Sequence, residues 1–274
     1  MTRIKQNPSK EERDDRQKWL NTIFIKSKFK FLQSHNGIRP CALHGLVSTT
    51  GAGKTSLLQT LIAEVAEQFR CFIFMSEETT TTYSNNIFKV FGRSPKRENL
   101  SYLEERDMGY RPGCSQEEYL RVFSDRVLES NADVVFIDNL TTSKFYSDSL
   151  GPEGQEITTE YLKDAPKKLE VPIIYAIHTK SDITDNHFGL IGPQDVRGNK
   201  AIANKTEFMY IMQRFTIDKT IYTLVRVVKH REYPDPGDFY LLEWRDGGYY
   251  RDAVVPFSTI NDIFIRRNRL GRKQ

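Results

Sequence analysis

The sequence predicts an α/β fold with a mostly parallel central sheet, helices on both faces and antiparallel strands toward the carboxyl-terminal end. Three observations predict it. A glycine-rich loop lies between a short apolar run and a helix-spaced apolar stripe. Further apolar runs at 71–76, 133–138 and 171–177, each of a length suited to a buried strand, end on acidic or polar residues. Beyond residue 207, β-rich stretches follow one another around a turn rich in proline and glycine.

Residues 1–34 open with the mixed charges Lys10 to Arg16 at helical spacing and continue through Trp19, Leu20, Ile23 and Phe24 to Phe29, Phe31 and Leu32. Such an apolar-striped segment packs on its own domain or docks on a neighbouring subunit. Cys41 to Val47 reads as a buried strand, and Leu57, Leu58, Leu61, Ile62, Val65 and Ala66 mark the next helix. Between them runs Ser48-Thr49-Thr50-Gly51-Ala52-Gly53-Lys54-Thr55, a phosphate-binding loop. Gly51 and Gly53 let backbone N–H groups close around phosphate oxygens, Lys54 can reach the β- and γ-phosphates, and the Thr55 hydroxyl can ligate Mg²⁺. Ser48, Ala52 and Ser56 complete the expected nucleotide contacts, Ser48 standing where such loops usually begin with glycine.

The strand 71–76 closes on Glu77-Glu78, and a helix follows from the threonines Thr79 to Thr82. Residues 93–114 read as a long surface connection, after which Ser115-Gln116-Glu117-Glu118 starts a helix by a capping pattern. Asp133 to Asp138 is the next strand, and its last carboxylate is placed to hold Mg²⁺ beside the loop. Asn139 occupies the position where many such ATPases keep a catalytic glutamate, so the base is expected from Glu77 or Glu78; the alternative is that these two acids only cap a helix. Lys144 to Gly154 reads as a mobile loop, and a helix from about Glu156 is expected to break at Pro166. The strand 171–177 ends at His178, either a structural histidine or a sensor of γ-phosphate. Ser181 to Asn199 is irregular. Strands are expected over 208–212 and 220–228, the latter ending at Lys229-His230-Arg231, and over 239–244, paired antiparallel across Pro234 to Gly237. The terminus from Arg266 to Lys273 is a basic tail, solvated or in contact with nucleic acid.

Composition sets the bounds. With 274 residues, 38% of them hydrophobic and 28% charged, the chain is long enough for one sizeable core and holds no apolar run that would span a membrane. The polar residues 1–16 carry neither a secretory signal nor an anchor, and the cytoplasm is expected. Cys41, Cys71 and Cys114 have neither disulfide nor zinc spacing and read as buried thiols. A net charge of +4 is too small to argue for nucleic acid by itself.

In this order the motifs resemble those of the RecA-fold hexameric replicative helicases of the DnaB type, and most of all the short single-domain RepA-like plasmid and phage helicases. The resemblance covers about residues 38–246 and rests on Gly51 to Thr55, Met75 to Glu78, Val134 to Asp138, His178, the stretch Arg197 to Ile202 ahead of Phe208 to Arg214, and Val228-Lys229-His230-Arg231. It implies an amino-terminal linker or helical segment over 1–34, a RecA-like ATPase domain over 35–256 and a basic tail over 257–274. It also implies ATP and Mg²⁺ as cofactors, held by Lys54, Thr55 and Asp138, with Glu77, the first acid of its pair, polarising the attacking water. Lys229 and Arg231 would act in trans as a finger pair on the neighbouring subunit's nucleotide, and Lys144, Lys180, Arg197 and Lys200 would hold single-stranded DNA. The expected function is a ring-forming, ATP-driven helicase, a homo-oligomer of hexameric kind with a replication initiator or loader as a further partner. The alternatives are a regulatory or recombination-accessory KaiC-like ATPase that remodels a protein partner, and, further off, a small-molecule kinase.

Overall fold

The computed structural model describes residues 25–34, 36–91, 96–109, 113–146, 150–180, 190–198, 200–217, 220–230, 239–245, 248–256, 258–262 and 265. The strands are β1 (Leu43–Ser48), β2 (Cys71–Met75), β3 (Leu100–Glu104), β4 (Val134–Asp138), β5 (Ile173–His178), β6 (Phe208–Ile217), β7 (Thr220–His230), β8 (Phe239–Arg245) and β9 (Gly248–Val255). They form one sheet in the order β3-β2-β4-β5-β1-β6-β7-β8-β9. Pairing is parallel from β3 through β6 and antiparallel from β6 to β9. The helices are α1 (Lys30–Gln33), α2 (Lys54–Val65), α3 (Thr80–Phe91), α4 (Gln116–Glu129), α5 (Gly151–Lys168) and α6 (Ala201–Lys205).

Helices cover both faces of the parallel part, which explains why its central strands β2, β4 and β5 are apolar along most of their length. In β4, Phe136 faces the core shared with α1, α2 and α3, while Val135 and Ile137 face the core shared with α4, α5 and α6. The same alternation places Ile73 on one side of β2 and Phe74 on the other. Phe29, Phe31 and Leu32, ahead of the phosphate loop, are buried in the first of these cores. There Phe31 meets Tyr210 edge to face at 5.4 Å between ring centroids. Asp252 on β9 ties this segment down, accepting from the backbone N–H groups of Lys30 at 2.7 Å and Phe31 at 2.9 Å.

Several expectations are corrected. The stretch read as a surface connection holds 3-10 turns at Arg97–Asn99 and Glu105–Met108 and, between them, the edge strand β3. Its residues Leu-Ser-Tyr-Leu-Glu are half-buried, so they lack the unbroken apolar run of a central strand. α5 begins at Gly151, inside the expected loop, and passes through Pro166 without a break. Proline there removes only the ladder bond to the Leu162 carbonyl, close to the helix end. Of the loop 144–154, Phe145 and Tyr146 are core residues. β6 and β7 extend past their expected ends, and β9 was not expected at all, since its Tyr-Tyr-Arg-Asp centre has no strand-like alternation. Cys71 alone of the cysteines is buried; Cys41 and Cys114 are partly exposed. Residues 1–24, residues 231–238 with the expected proline-glycine turn, and residues 266–274 of the expected basic tail lie outside the described residues.

His44 stands in the centre of β1, stacked on Phe208 at 4.6 Å with its ring nitrogens 3.3 Å from the Tyr210 hydroxyl and from the Arg39 carbonyl. Complete burial pushes its pKa from 6.5 down to about 3. The folded state therefore binds fewer protons than the unfolded one between these values. The contribution of neutral His44 is complete above pH 6.5 and is lost as pH falls toward 3, at up to about 1.4 kcal/mol per pH unit. Urea unfolding at about pH 7.5 and about pH 5 is expected to show a stability loss that His44→Gln reduces by about 2 kcal/mol.

Candidate functional site

Parallel strands in register finish at one edge of a sheet, and that edge collects the chemistry here. Ser48, ending β1, pairs with His178, ending β5; Met75, ending β2, pairs with Asp138, ending β4. The phosphate loop leaves β1 at Thr49 and turns into α2 at Lys54, with φ of +81° at Gly51 and +95° at Gly53. The amino end of α2 has no side-chain cap, so its first N–H groups are directed at the loop. A side chain at Gly53 is excluded twice: its φ is left-handed, and a Cβ would lie 2.5 Å from the Tyr249 hydroxyl. That hydroxyl, from β9, donates to the Ala52 carbonyl at 3.2 Å, and Arg214 in the second half of β6 donates to the Gly51 carbonyl at 3.2 Å.

Lys54 is buried and donates to Ser48 Oγ at 3.1 Å, the Thr49 carbonyl at 3.2 Å and His178 Nδ1 at 2.9 Å. The Thr55 hydroxyl donates to Asp138 Oδ1 at 3.3 Å, and Tyr83 from α3 donates to Asp138 Oδ2 at 3.1 Å. Burial lifts the Asp138 carboxyl to about 6 against the pull of these two hydrogen bonds. A hydroxyl and a carboxylate side by side at the foot of a glycine cradle are the oxygen donors that Mg²⁺ takes, so the residues present fit the ion.

The two acids after β2 point to different neighbours. Glu78 is partly buried against α2, where Gln59 Nε2 donates to it at 3.3 Å, and burial followed by the charge of Glu77 raises its pKa. Glu77 is exposed and accepts from Asn139 Nδ2 at 3.0 Å. The same amide lies 3.2 Å from His178 Nε2. His178 is held by a hydrogen bond from its backbone N–H to Thr141 Oγ1 at 2.9 Å, and burial, then Lys54, bring its pKa down to about 4. Lys54, Thr55, Asp138, Glu77 and His178 are thus brought together, with Ser48 and Ala52 buried beside them and Ser56 on the first turn of α2.

The remaining predicted residues fall elsewhere. Lys229 on β7 donates to the Ala203 carbonyl at 3.0 Å and to the Asn204 carbonyl, at the end of α6. Arg231 lies outside the described residues. Lys180 and Arg197 flank His178 through the backbone, Lys180 N–H to the Asp195 carbonyl at 2.8 Å and Arg197 N–H to the His178 carbonyl at 3.0 Å. Lys144 and Lys200 are exposed, one after β4 and one before α6. Asn139, Gln59, Tyr83, Arg214 and Tyr249 received no role in the sequence reading. Only Asn139 carried a signal, its place directly after Asp138.

No protein-family model matches the chain, and no curated protein sequence matches it. Among solved structures, the crystal structure of a KaiC-like protein from the hyperthermophilic archaeon Pyrococcus horikoshii OT3 superposes over 85% of this chain and 98% of that chain, with a TM-score of 0.59 at 16% identity. The fold is RecA-like. At that identity the likeness is one of architecture, and the site has to be read from its own residues. Among the described residues, no helix is long and apolar enough to cross a membrane.

Gly53→Ala tests the cradle. It is expected to weaken binding of a fluorescent ATP analogue roughly tenfold or more, because a left-handed non-glycine residue costs about 1–3 kcal/mol, before the contact with Tyr249 is counted. Gly53→Ala combined with Tyr249→Phe, which removes the obstructing hydroxyl, is expected to recover only part of that loss in the same titration.

Proposed function

We propose that the chain is a Mg²⁺-dependent ATP hydrolase of the RecA-like class that assembles head to tail into a ring, of hexameric kind, and moves on single-stranded DNA as a helicase. The observation that carries the reading is the placement, at one sheet edge, of the Lys54 ammonium, the Thr55–Asp138 pair and the exposed carboxylate of Glu77. Thr55 and Asp138 would hold Mg²⁺. A bound Mg²⁺ supplies positive charge to the phosphate oxygens. Lys54 and the loop N–H groups hold the polyphosphate, and Glu77 takes the proton of the attacking water. Glu78 is engaged with Gln59 and is the weaker candidate. His178, touching Lys54, stands where it can report phosphate to the segment that follows β5.

The assembly reading is supported by where Lys229 lies. β7 runs antiparallel to β6, so Lys229 sits opposite Met209, whereas the phosphate loop leaves β1 at Ser48, opposite Met212. Three residues of strand, about 10 Å, separate those rows, and Lys229 lies at the end remote from its own loop. A cation there serves a neighbour's nucleotide, with Arg231 two residues further on. Head-to-tail contacts of this kind close into a ring when the rotation permits. Lys144, Lys180, Arg197 and Lys200 would line the DNA path, with an initiator or loader as partner and the cytoplasm as location. A second reading, an ATPase that remodels a protein partner without unwinding, is favoured by the fold likeness to a KaiC-like protein and by Asp182, Asp185 and Asp195 in the second candidate DNA segment.

Steady-state hydrolysis with and without single-stranded DNA separates the two. Stimulation by DNA that fades with added salt is expected; hydrolysis indifferent to DNA sinks the motor and leaves the partner-remodelling ATPase. Glu77→Gln is expected to cut hydrolysis by about 100-fold or more with nucleotide binding retained, and Glu78→Gln to have a smaller effect.

A further inference from the structure

The orientation of the Asn139 amide is fixed by Thr142. The Thr142 backbone N–H can only donate, so the atom it meets at 3.0 Å is Oδ1, and the Thr142 hydroxyl donates to the same oxygen at 3.1 Å. The Nδ2 group is thereby turned to Glu77 Oε1 at 3.0 Å and to His178 Nε2 at 3.2 Å. As a donor only, it needs a lone pair on Nε2. On the far side of the ring the Lys54 ammonium, also a donor only, lies 2.9 Å from Nδ1 and needs a lone pair there. A neutral imidazole offers one such lone pair, since its other nitrogen carries hydrogen. Lys54 and Asn139 therefore compete for one ring.

We infer that Asn139 is a positioning residue that senses, through the tautomer of His178, whether Lys54 is engaged with phosphate, and sets Glu77 accordingly. The inference rests on the reading of Glu77 as the base. When Lys54 turns to phosphate oxygens, one proton leaves Nε2 and one is taken up at Nδ1, with no net change in charge. Nδ1–H then has Thr50 Oγ1 as acceptor at 3.3 Å, and Nε2 accepts from Asn139. Both hydrogens of the Asn139 amide are then used, one on His178 and one on Glu77, and the carboxylate is held. With Lys54 on Nδ1, the Nε2–H bond confronts an amide N–H, and the hold on Glu77 loosens. Occupancy of the phosphate loop is in this way converted into the position of the base.

The test is the tautomer itself. Protein labelled with ¹⁵N-histidine gives long-range ¹H–¹⁵N correlations whose pattern distinguishes the two neutral forms, and His178→Gln assigns the signal among the five histidines. The expected result is Nε2–H without nucleotide and Nδ1–H with Mg²⁺ and a non-hydrolysable ATP analogue. Asn139→Asp keeps the acceptor for Thr142 and removes the shared donor. It is expected to lower kcat roughly tenfold or more while changing analogue affinity by no more than about twofold, with His178 remaining Nε2–H when the analogue is bound. A His178 tautomer unmoved by a bound analogue, in protein whose hydrolysis requires Glu77, overturns this inference alone. A wild-type kcat in Asn139→Asp also overturns it. Hydrolysis that survives Glu77→Gln overturns the functional reading and this inference with it. The tautomer measurement needs only the wild-type protein, so it decides the matter even where Asn139→Asp does not fold.

Discussion

Two charged side chains, Lys54 and Asp138, are each 5% exposed at the end of an apolar sheet, and the cost of burying them shapes everything around them. An unpaired charge in such surroundings costs several kcal/mol or neutralises. Each is therefore partnered from several directions. Lys54 is met from β1 and β5, and Asp138 from α2 and α3. The partners come from strands of the sheet and from helices packed on it, so the site is assembled only when the core is.

The parallel half of the fold was legible because its chemistry is local. A strand buried on both faces is largely apolar, and the loop between β1 and α2 needs glycine at fixed places, so Val134 to Asp138 and Gly51 to Thr55 announce themselves. The edges were not legible for the converse reason. β3 and β9 are only partly buried and need not alternate, and Pro166 is tolerated by its position near a helix end rather than by its own nature. In the candidate site, the residues that the sequence singles out are those whose type declares a role: a lysine after glycine, an acid ending a strand. Those whose role is given by a partner far off in the chain are not singled out. Gln59 matters through Glu78, Tyr83 through Asp138, and Tyr249 through Ala52 nearly two hundred positions earlier.

The contrast between Glu77 and Glu78 shows how far the surroundings of two adjacent acids can differ. They are neighbours in the chain at the end of the same strand, yet one packs toward the helix behind the loop and is driven toward its neutral form, while the other faces solvent and a fixed amide. Environment, not residue type, sets the two apart.

β9 braces residues far earlier in the sequence, Tyr249 meeting the glycine-rich loop and Asp252 the backbone of Lys30 and Phe31. On the ribosome the strand that braces the loop is made nearly two hundred residues after the loop itself. Until then the chain would hold the glycine-rich loop without its support, and a truncation before residue 249 would leave that loop unbraced even though Gly51 to Thr55, Asp138 and His178 have been synthesised.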